Sequence, residues 1–339
     1  MATVNDVDTD TMSDKVVVQH SNLCPVILVG HGSSGTSIFS RLLRNHLRVS
    51  FGTESQFIVD YYRRLNRYGD LSDDANLHKL IADISGERWF QRCHKKFGFT
   101  FDPQAAFSAV KQRTYRGVLD AIFLQLAQYN EMAPRWGDKT PGYATDLPVI
   151  GEICPDAKYI HLARDGRDVA LSVMGRFWGA QNIYTAAQEW IEAVDAIDEF
   201  LQTLPTDQKL EITYEQLLSN PVPTFDAVIE FLEIEPREAL LKELVPLLNE
   251  QLDAGNFDKW RKKMTPAQRR QFEQFAQPQL QRYGYETEFE PTDYHPSALA
   301  KMYWRCQNKA LQYRYPDYWK DNVYKARKLI SDRLRALRG

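Results

Sequence analysis

The feature that most limits how this chain folds is Pro25-Val-Ile-Leu-Val29 running directly into Gly30-His-Gly-Ser-Ser-Gly-Thr-Ser37. A short, uninterrupted apolar run is the pattern of a strand buried on both faces, as in parallel sheets. After the glycines, Ile38, Phe39, Leu42 and Leu43 fall on one helical face, with Arg41 and Arg44 off it. Strand, glycine loop and helix together form the opening of a phosphate-binding βαβ unit.

The rest of the chain continues that pattern. Further apolar strands are expected at Leu47–Phe51, Tyr159–Leu162 and Leu210–Thr213, with helices between them at Ala187–Leu201 and Phe225–Leu232. Alternating strands and helices predict an α/β fold, a P-loop-like three-layer α/β/α sandwich around a central parallel sheet. Three segments are expected: a disordered acidic leader over 1–22 with Asp6, Asp8, Asp10 and Asp14, one domain over 23–289, and a helical extension over 290–339 packed on or beside it. The extension is expected to end in a helix from about Asp321, with Val323, Ala326, Leu329, Ile330, Leu334 and Leu337 as an apolar stripe. Its other face carries Lys325, Arg327, Lys328, Arg333, Arg335 and Arg338, read first as a solvated surface and second as a contact for an anionic membrane surface or partner.

The loop itself nearly spells the nucleotide motif G-x-x-x-x-G-K-[ST]. Gly30, Gly35 and Ser37 fit, but Thr36 stands in the lysine place. Without that lysine the loop is poorly built for ATP, although backbone N–H groups and a helix N-terminus still cradle an anion. Gly32, Ser33, Ser34, Gly35, Thr36 and Ser37 are therefore candidate phosphate contacts.

Composition narrows the class. With 43% hydrophobic residues in 339 the chain can bury a large core, and a net charge of −3 argues against a dedicated nucleic-acid binder. Cys24, Cys93, Cys154 and Cys306 show no metal-ligand spacing, and no metal site is expected. Scattered thiols, no secretory pattern at the start and no apolar run of about 20 residues predict a cytoplasmic protein. The oligomeric state stays open, a dimer included.

A second constellation lies in Lys158-Tyr-Ile-His-Leu-Ala-Arg-Asp-Gly-Arg-Asp-Val-Ala-Leu-Ser-Val-Met-Gly-Arg176. Arg164 is expected at the carboxyl end of a strand, where open α/β sheets place ligands. Ser172 and Arg176, four apart, are expected on one helical face, and arginine with a hydroxyl suits a bound phosphate.

With these residues the chain resembles the sulfotransferases that use 3′-phosphoadenosine 5′-phosphosulfate (PAPS). Ser33-Ser-Gly-Thr-Ser37 resembles their 5′-phosphosulfate loop, and Arg164 and Ser172 match the pair that holds the 3′-phosphate. Trp136-Gly-Asp-Lys-Thr-Pro141 and Tyr214-Glu-Gln-Leu217 are similar to two further family elements. Asn256 to Met264, with Arg282 to Tyr285, looks like the loop that covers the cofactor. The elements keep the family's order over roughly 25 to 285, and Arg164-Asp-Gly-Arg167 and Tyr214-Glu-Gln-Leu217 read like the tyrosylprotein and carbohydrate branch.

The resemblance implies transfer of a sulfuryl group from PAPS to an acceptor hydroxyl on a glycan, lipid, small alcohol or tyrosine, leaving 3′-phosphoadenosine 5′-phosphate (PAP). It places Tyr214, Lys259, Trp260, Lys263 and Arg176 with the cofactor, Lys139 at the leaving oxygen and Glu54 as general base. His31 and His46 are rival bases. The family loop carries Arg or Lys where this chain has Ser33, so Lys139, Arg176, Lys259 or Lys263 is expected to supply that charge. Residues 60–116 hold eleven Lys or Arg against seven Asp or Glu, a local excess of four suited to a solvated surface or an anionic acceptor. Two competing readings are a nucleotide-kinase-like phosphotransferase and a catalytically silent nucleotide-binding protein.

Overall fold

A computed structural model describes residues 17–132, 134–320, 322–324 and 326. In chain order the strands are β1 (Gln19–His20), β2 (Val26–Val29), β3 (Ser50–Phe51), β4 (Trp136–Asp138), β5 (Lys158–Ala163), β6 (Lys209–Thr213) and β7 (Ile234–Glu235). Five of them form a parallel sheet in the order β3-β4-β2-β5-β6, so the expected α/β architecture with a central parallel sheet is present.

The apolar run at Val26–Val29 is buried at every position because both of its faces are covered. Val26 and Leu28 pack with Phe39, Leu42 and Leu43 of helix α1 (Thr36–Leu47) and with Phe225 and Val228 of the Pro221–Phe231 helix. Ile27 and Val29 face the other way, toward Val118, Ile122 and Ile197 of the Tyr115–Tyr129 and Ile183–Gln202 helices. Alternation of side chains across the strand thus assigns successive residues to the two outer layers. A third apolar cluster, with Val169, Trp190, Trp260 and Phe272, joins the Gly166–Val173 helix to the C-terminal part of the chain.

Several expected boundaries move. Leu47 closes α1, and Arg48, in the left-handed region at φ 55°, turns its N–H to the Leu43 carbonyl, which leaves only Ser50–Phe51 to pair. The three-residue β4 was not expected as a strand. Gln19–His20 pairs antiparallel with Ile234–Glu235, and His20 Nε2 lies 2.8 Å from the Leu47 carbonyl, so the ordered body starts ahead of residue 23. The fully buried Arg135 fastens the same corner, donating to the carbonyls of Cys24 at 2.8 Å and Leu232 at 2.6 Å. Residues 1–16 of the leader lie outside the described residues.

The Ala298–Gln312 helix lies against the domain: Asn308 Oδ1 accepts from the Gln181 N–H at 2.6 Å and the Trp304 and Tyr184 rings are 4.5 Å apart. Of the expected terminal stripe, Val323 and Ala326 are exposed, while Leu329, Ile330, Leu334, Leu337 and most of the basic face lie outside the described residues. No helix among the described residues is long and apolar enough to cross a membrane.

Candidate active site

Every strand of the parallel sheet delivers a predicted site residue at its carboxyl end. Gly30 to Gly35 follow β2, Glu54 follows β3, Lys139 follows β4, Arg164 follows β5 and Tyr214 follows β6. This is the edge at which open α/β sheets bind ligands.

The loop is tightly built. Ser33 adopts φ 75° and Gly35 φ 91°, both in the left-handed region. At Gly35 a Cβ would stand 2.4 Å from the Tyr214 ring, so only glycine fits. Arg164 Nη1 donates to the Ser33 carbonyl at 2.9 Å, which ties the loop to the end of β5. Thr36 is buried in the lysine place, and α1 starts with no acidic residue in its first turn and no side-chain cap. The hydroxyl of buried Ser34 and Nε of Arg164 make no hydrogen bond within the protein. Loop, helix N-terminus and these two polar atoms together fit an anion.

Lys139 and Glu54 meet beside this loop. Lys139 Nζ is 2.7 Å from Glu54 Oε1 and 3.3 Å from Ser37 Oγ. The segment carrying Glu54 is pinned: Arg92 donates to the Glu54 carbonyl at 2.6 Å, the Trp89 indole to that of Thr53 at 2.9 Å, and the Ser55 N–H to Thr140 Oγ1 at 2.9 Å. Next to Lys139, the fully enclosed Asp138 is pushed up to about 6 by burial; Thr140 donates to one oxygen and the other has no partner in the protein.

On the β5 side, the Arg164 guanidinium lies 4.6 Å from the Tyr214 ring centroid and Nη2 is 3.4 Å from Asp168. Asp168 in turn accepts the backbone N–H of Trp260 at 2.9 Å. Tyr214 accepts from Asn256 at 2.8 Å, and Asn256 also accepts from Lys259. Burial raises the Tyr214 phenol, with Arg164 opposing. Tyr214 and Lys259, 45 positions apart, are therefore joined through one amide.

Three predicted residues fall differently. Trp260 is fully buried, with its ring 3.6 Å from the Arg167 guanidinium, so in this structure its indole belongs to the core. The Gly166–Val173 helix stops before Arg176, which lies exposed in the following turn near Trp178; Ser172 and Arg176 therefore share no helical face. Lys263 is exposed at the end of the Lys259–Lys263 helix. Of the rival bases, His31 stands next to the loop with Nδ1 2.7 Å from the Gly32 carbonyl, and burial lowers it. His46 sits ten residues along α1, about 15 Å from its start.

Sequence reading missed Arg167. Its guanidinium, 1% exposed, pairs with Asp165 at 2.7 Å and Glu273 at 2.6 Å, anchoring the turn that presents Arg164. The Arg-Asp-Gly-Arg spacing was the available signal. Also missed was a group of metal-ligand type: His161, Asp198 and Glu211 offer ligand atoms within 4.8 Å of one another. Asp198 already accepts from Tyr283 at 2.6 Å and pairs with Arg282 at 2.7 Å, and that cation competes with any metal ion.

Comparison with known proteins bears on the family. Over 237 residues the chain is 24% identical to the protein-tyrosine sulfotransferase of Drosophila melanogaster, covering 68% of this chain and 42% of that protein. It is 24% identical over 155 residues to a putative protein-tyrosine sulfotransferase of Caenorhabditis elegans, covering 44% of this chain and 59% of that one. The chain thus spans less than two thirds of the length of either relative. A solved sulfotransferase domain from the curacin biosynthetic pathway aligns with a TM-score of 0.48 at 19% identity, over 78% of this chain and 98% of that one. The model of the Sulfotransferase family matches residues 25–238, and this chain belongs to that family.

Proposed function

We propose that the chain is a PAPS-dependent sulfotransferase acting on an acceptor hydroxyl. The observation that carries this reading is the meeting of Lys139, Glu54 and Ser37 at the start of α1, with Lys139 Nζ 2.7 Å from the carboxylate and 3.3 Å from the hydroxyl.

The residues present fit the cofactor. Ser34 Oγ and Arg164 Nε are buried without a protein partner, and the backbone at Gly35 leaves no room for a side chain. Gly32 to Ser37 would hold the 5′-phosphosulfate, and Arg164 and Ser172 the 3′-phosphate. Tyr214 supports Arg164, and Lys259 and Lys263 add positive charge on the covering segment. Trp260 acts beneath them by holding Arg167. When bound, PAPS supplies the sulfuryl group.

Such transfer is governed by positioning and by charge stabilisation. Lys139 holds an ammonium at Ser37, next to the loop, and neutralises negative charge developing there. Glu54, at the outer strand, takes the proton of the acceptor hydroxyl. Lys139 also supplies a cation that Ser33 does not. No residue of the transfer machinery is a metal ligand in this reading. The names of the two relatives support tyrosine among the acceptors. The cysteines, all unpaired, fit a cytoplasmic setting.

Calorimetry with chelator present tests the cofactor: PAP is expected to bind well without magnesium, and ATP much more weakly. Equal affinity for ATP would favour the kinase-like reading. Labelled-sulfate transfer to glycans, lipids, small alcohols and tyrosine peptides tests the activity; PAP binding with no transfer to any acceptor would favour the silent one.

A further inference from the structure

We propose that the outer side of α1 and the end of the Arg88–Phe97 helix form an anion-binding strip, which takes an acidic group carried by the acceptor about 10 Å from its reacting hydroxyl. The inference rests on the active-site reading above.

Ser37, Arg41 and Arg44 stand at spacings of four and three on α1, so they line one side of the helix. At one end Ser37 receives Lys139 at 3.3 Å. Seven residues on, about 10 Å along the axis, the Arg44 guanidinium lies 4.8 Å from the Phe97 ring centroid, and the Lys96 ammonium lies 5.1 Å from the same ring. The strip therefore runs from the Glu54–Lys139 pair to a doubly charged end.

The fold does not neutralise these charges. Among the described residues no carboxylate forms an ion pair with Arg41, Arg44 or Lys96; the side-chain partner of Arg44 is the neutral Asn45 at 3.4 Å. Burial lowers Lys96, and Arg44, Lys139 and Arg41 lower it further, which puts all four cations in one field. Arg44 and Lys96 each suit the C-terminal turn of their own helix. Helix electrostatics does not require both to converge on one ring on the flank that begins at Lys139. Like charges gathered without a counter-ion favour an anion, and they steer one toward the hydroxyl-accepting end.

The shared chemistry is a phosphate monoester or a carboxylate, and calorimetry separates the two. The PAP-loaded full chain is titrated with 8-hydroxyoctyl phosphate, 8-hydroxyoctanoate and uncharged 1,8-octanediol. At least one acid is expected to bind about tenfold or more tightly than the diol, as charge-assisted contacts do, with an advantage that shrinks as salt is added. The tighter acid names the class. The combined variant Arg41→Ala, Arg44→Ala, Lys96→Ala is expected to lose that advantage while PAP affinity holds. Arg41→Gln and Lys96→Gln, both at exposed positions, are expected to lose part of it should the combined variant fold poorly. Equal binding of acids and diol, or full binding by the variants, overturns the proposal. Failure of PAP itself to bind refutes the cofactor reading instead, and titrating the phosphate probe onto the chain alone then still decides the strip.

Discussion

Lys139 and Glu54 leave neighbouring strands, β4 and β3, and close a 2.7 Å ion pair directly over Ser37 of the phosphate loop. Their sequence separation is 85 residues, so only the parallel register of two very short strands brings them together.

The pair gives opposite kinetic expectations for binding and turnover. Lys139→Ala should lower kcat far more than PAP affinity, because its charge is needed when negative charge develops. Lys139→Arg should restore only part, since a planar fork does not replace a compact ammonium. Glu54→Gln should cut turnover by about 10²–10⁴-fold while PAP affinity holds. Steady-state rates, with calorimetry of PAP, check both; unchanged kcat in either variant removes that residue from the chemistry.

Arg164→Ala should weaken PAP by about ten- to a hundredfold, and adenosine 5′-phosphosulfate by less. The second effect is not zero, because Arg164 also holds the Ser33 carbonyl. Ser172→Ala should show the same preference on a smaller scale. Equal weakening of both nucleotides would make Arg164 a loop brace alone.

Gly35→Ala should destabilise the fold by on the order of 1–3 kcal/mol and weaken PAP. The methyl group meets the Tyr214 ring, and φ 91° is itself unfavourable for alanine. Adding Tyr214→Ala should relieve the contact but not the backbone strain, so stability returns only in part. Urea unfolding of Gly35→Ala, Tyr214→Ala and the double variant separates the two contributions.

Asp138 gives a pH-dependent expectation. Burial raises its folded pKa from 3.8 to about 6. Between those values the folded chain keeps a proton that the unfolded chain has released, so this group's contribution to stability falls as pH rises through that window. Asp138→Asn keeps the acceptor for Thr140 and removes the ionisation. It should be more stable than the parent above pH 6, by on the order of 1–3 kcal/mol, with the gain shrinking toward pH 4. Urea midpoints at the two ends of the range test this.

Local pattern made the loop legible: an apolar run, glycines and an amphipathic segment all lie within 20 residues. Arg164 was legible because a six-residue buried strand ends just before it. The strand β4 was not legible, since three residues carry no periodicity, and Gly137 is there because the Phe51 ring would stand 2.6 Å from a Cβ. Arg167 entered the sequence reading only as part of a family motif and Trp260 as a cofactor aromatic, yet they stack on each other in the core through a contact that spans 93 positions. His161, Asp198 and Glu211 gather because β5 and β6 set His161 directly opposite Glu211, a register no single segment records.

The buried Arg167 also bears on where this protein can be divided. The family model's match ends at residue 238, but the Glu273 carboxylate and the Trp260 ring that hold Arg167 come from beyond it. A chain cut at that boundary would lose both, leaving Arg167 paired with Asp165 alone and stripping the cover from Val169 and Trp190 in the same apolar cluster. A shortened version intended for crystallisation or grafting therefore has to keep the chain at least through Glu273, which retains the Trp260 ring and both carboxylates around Arg167.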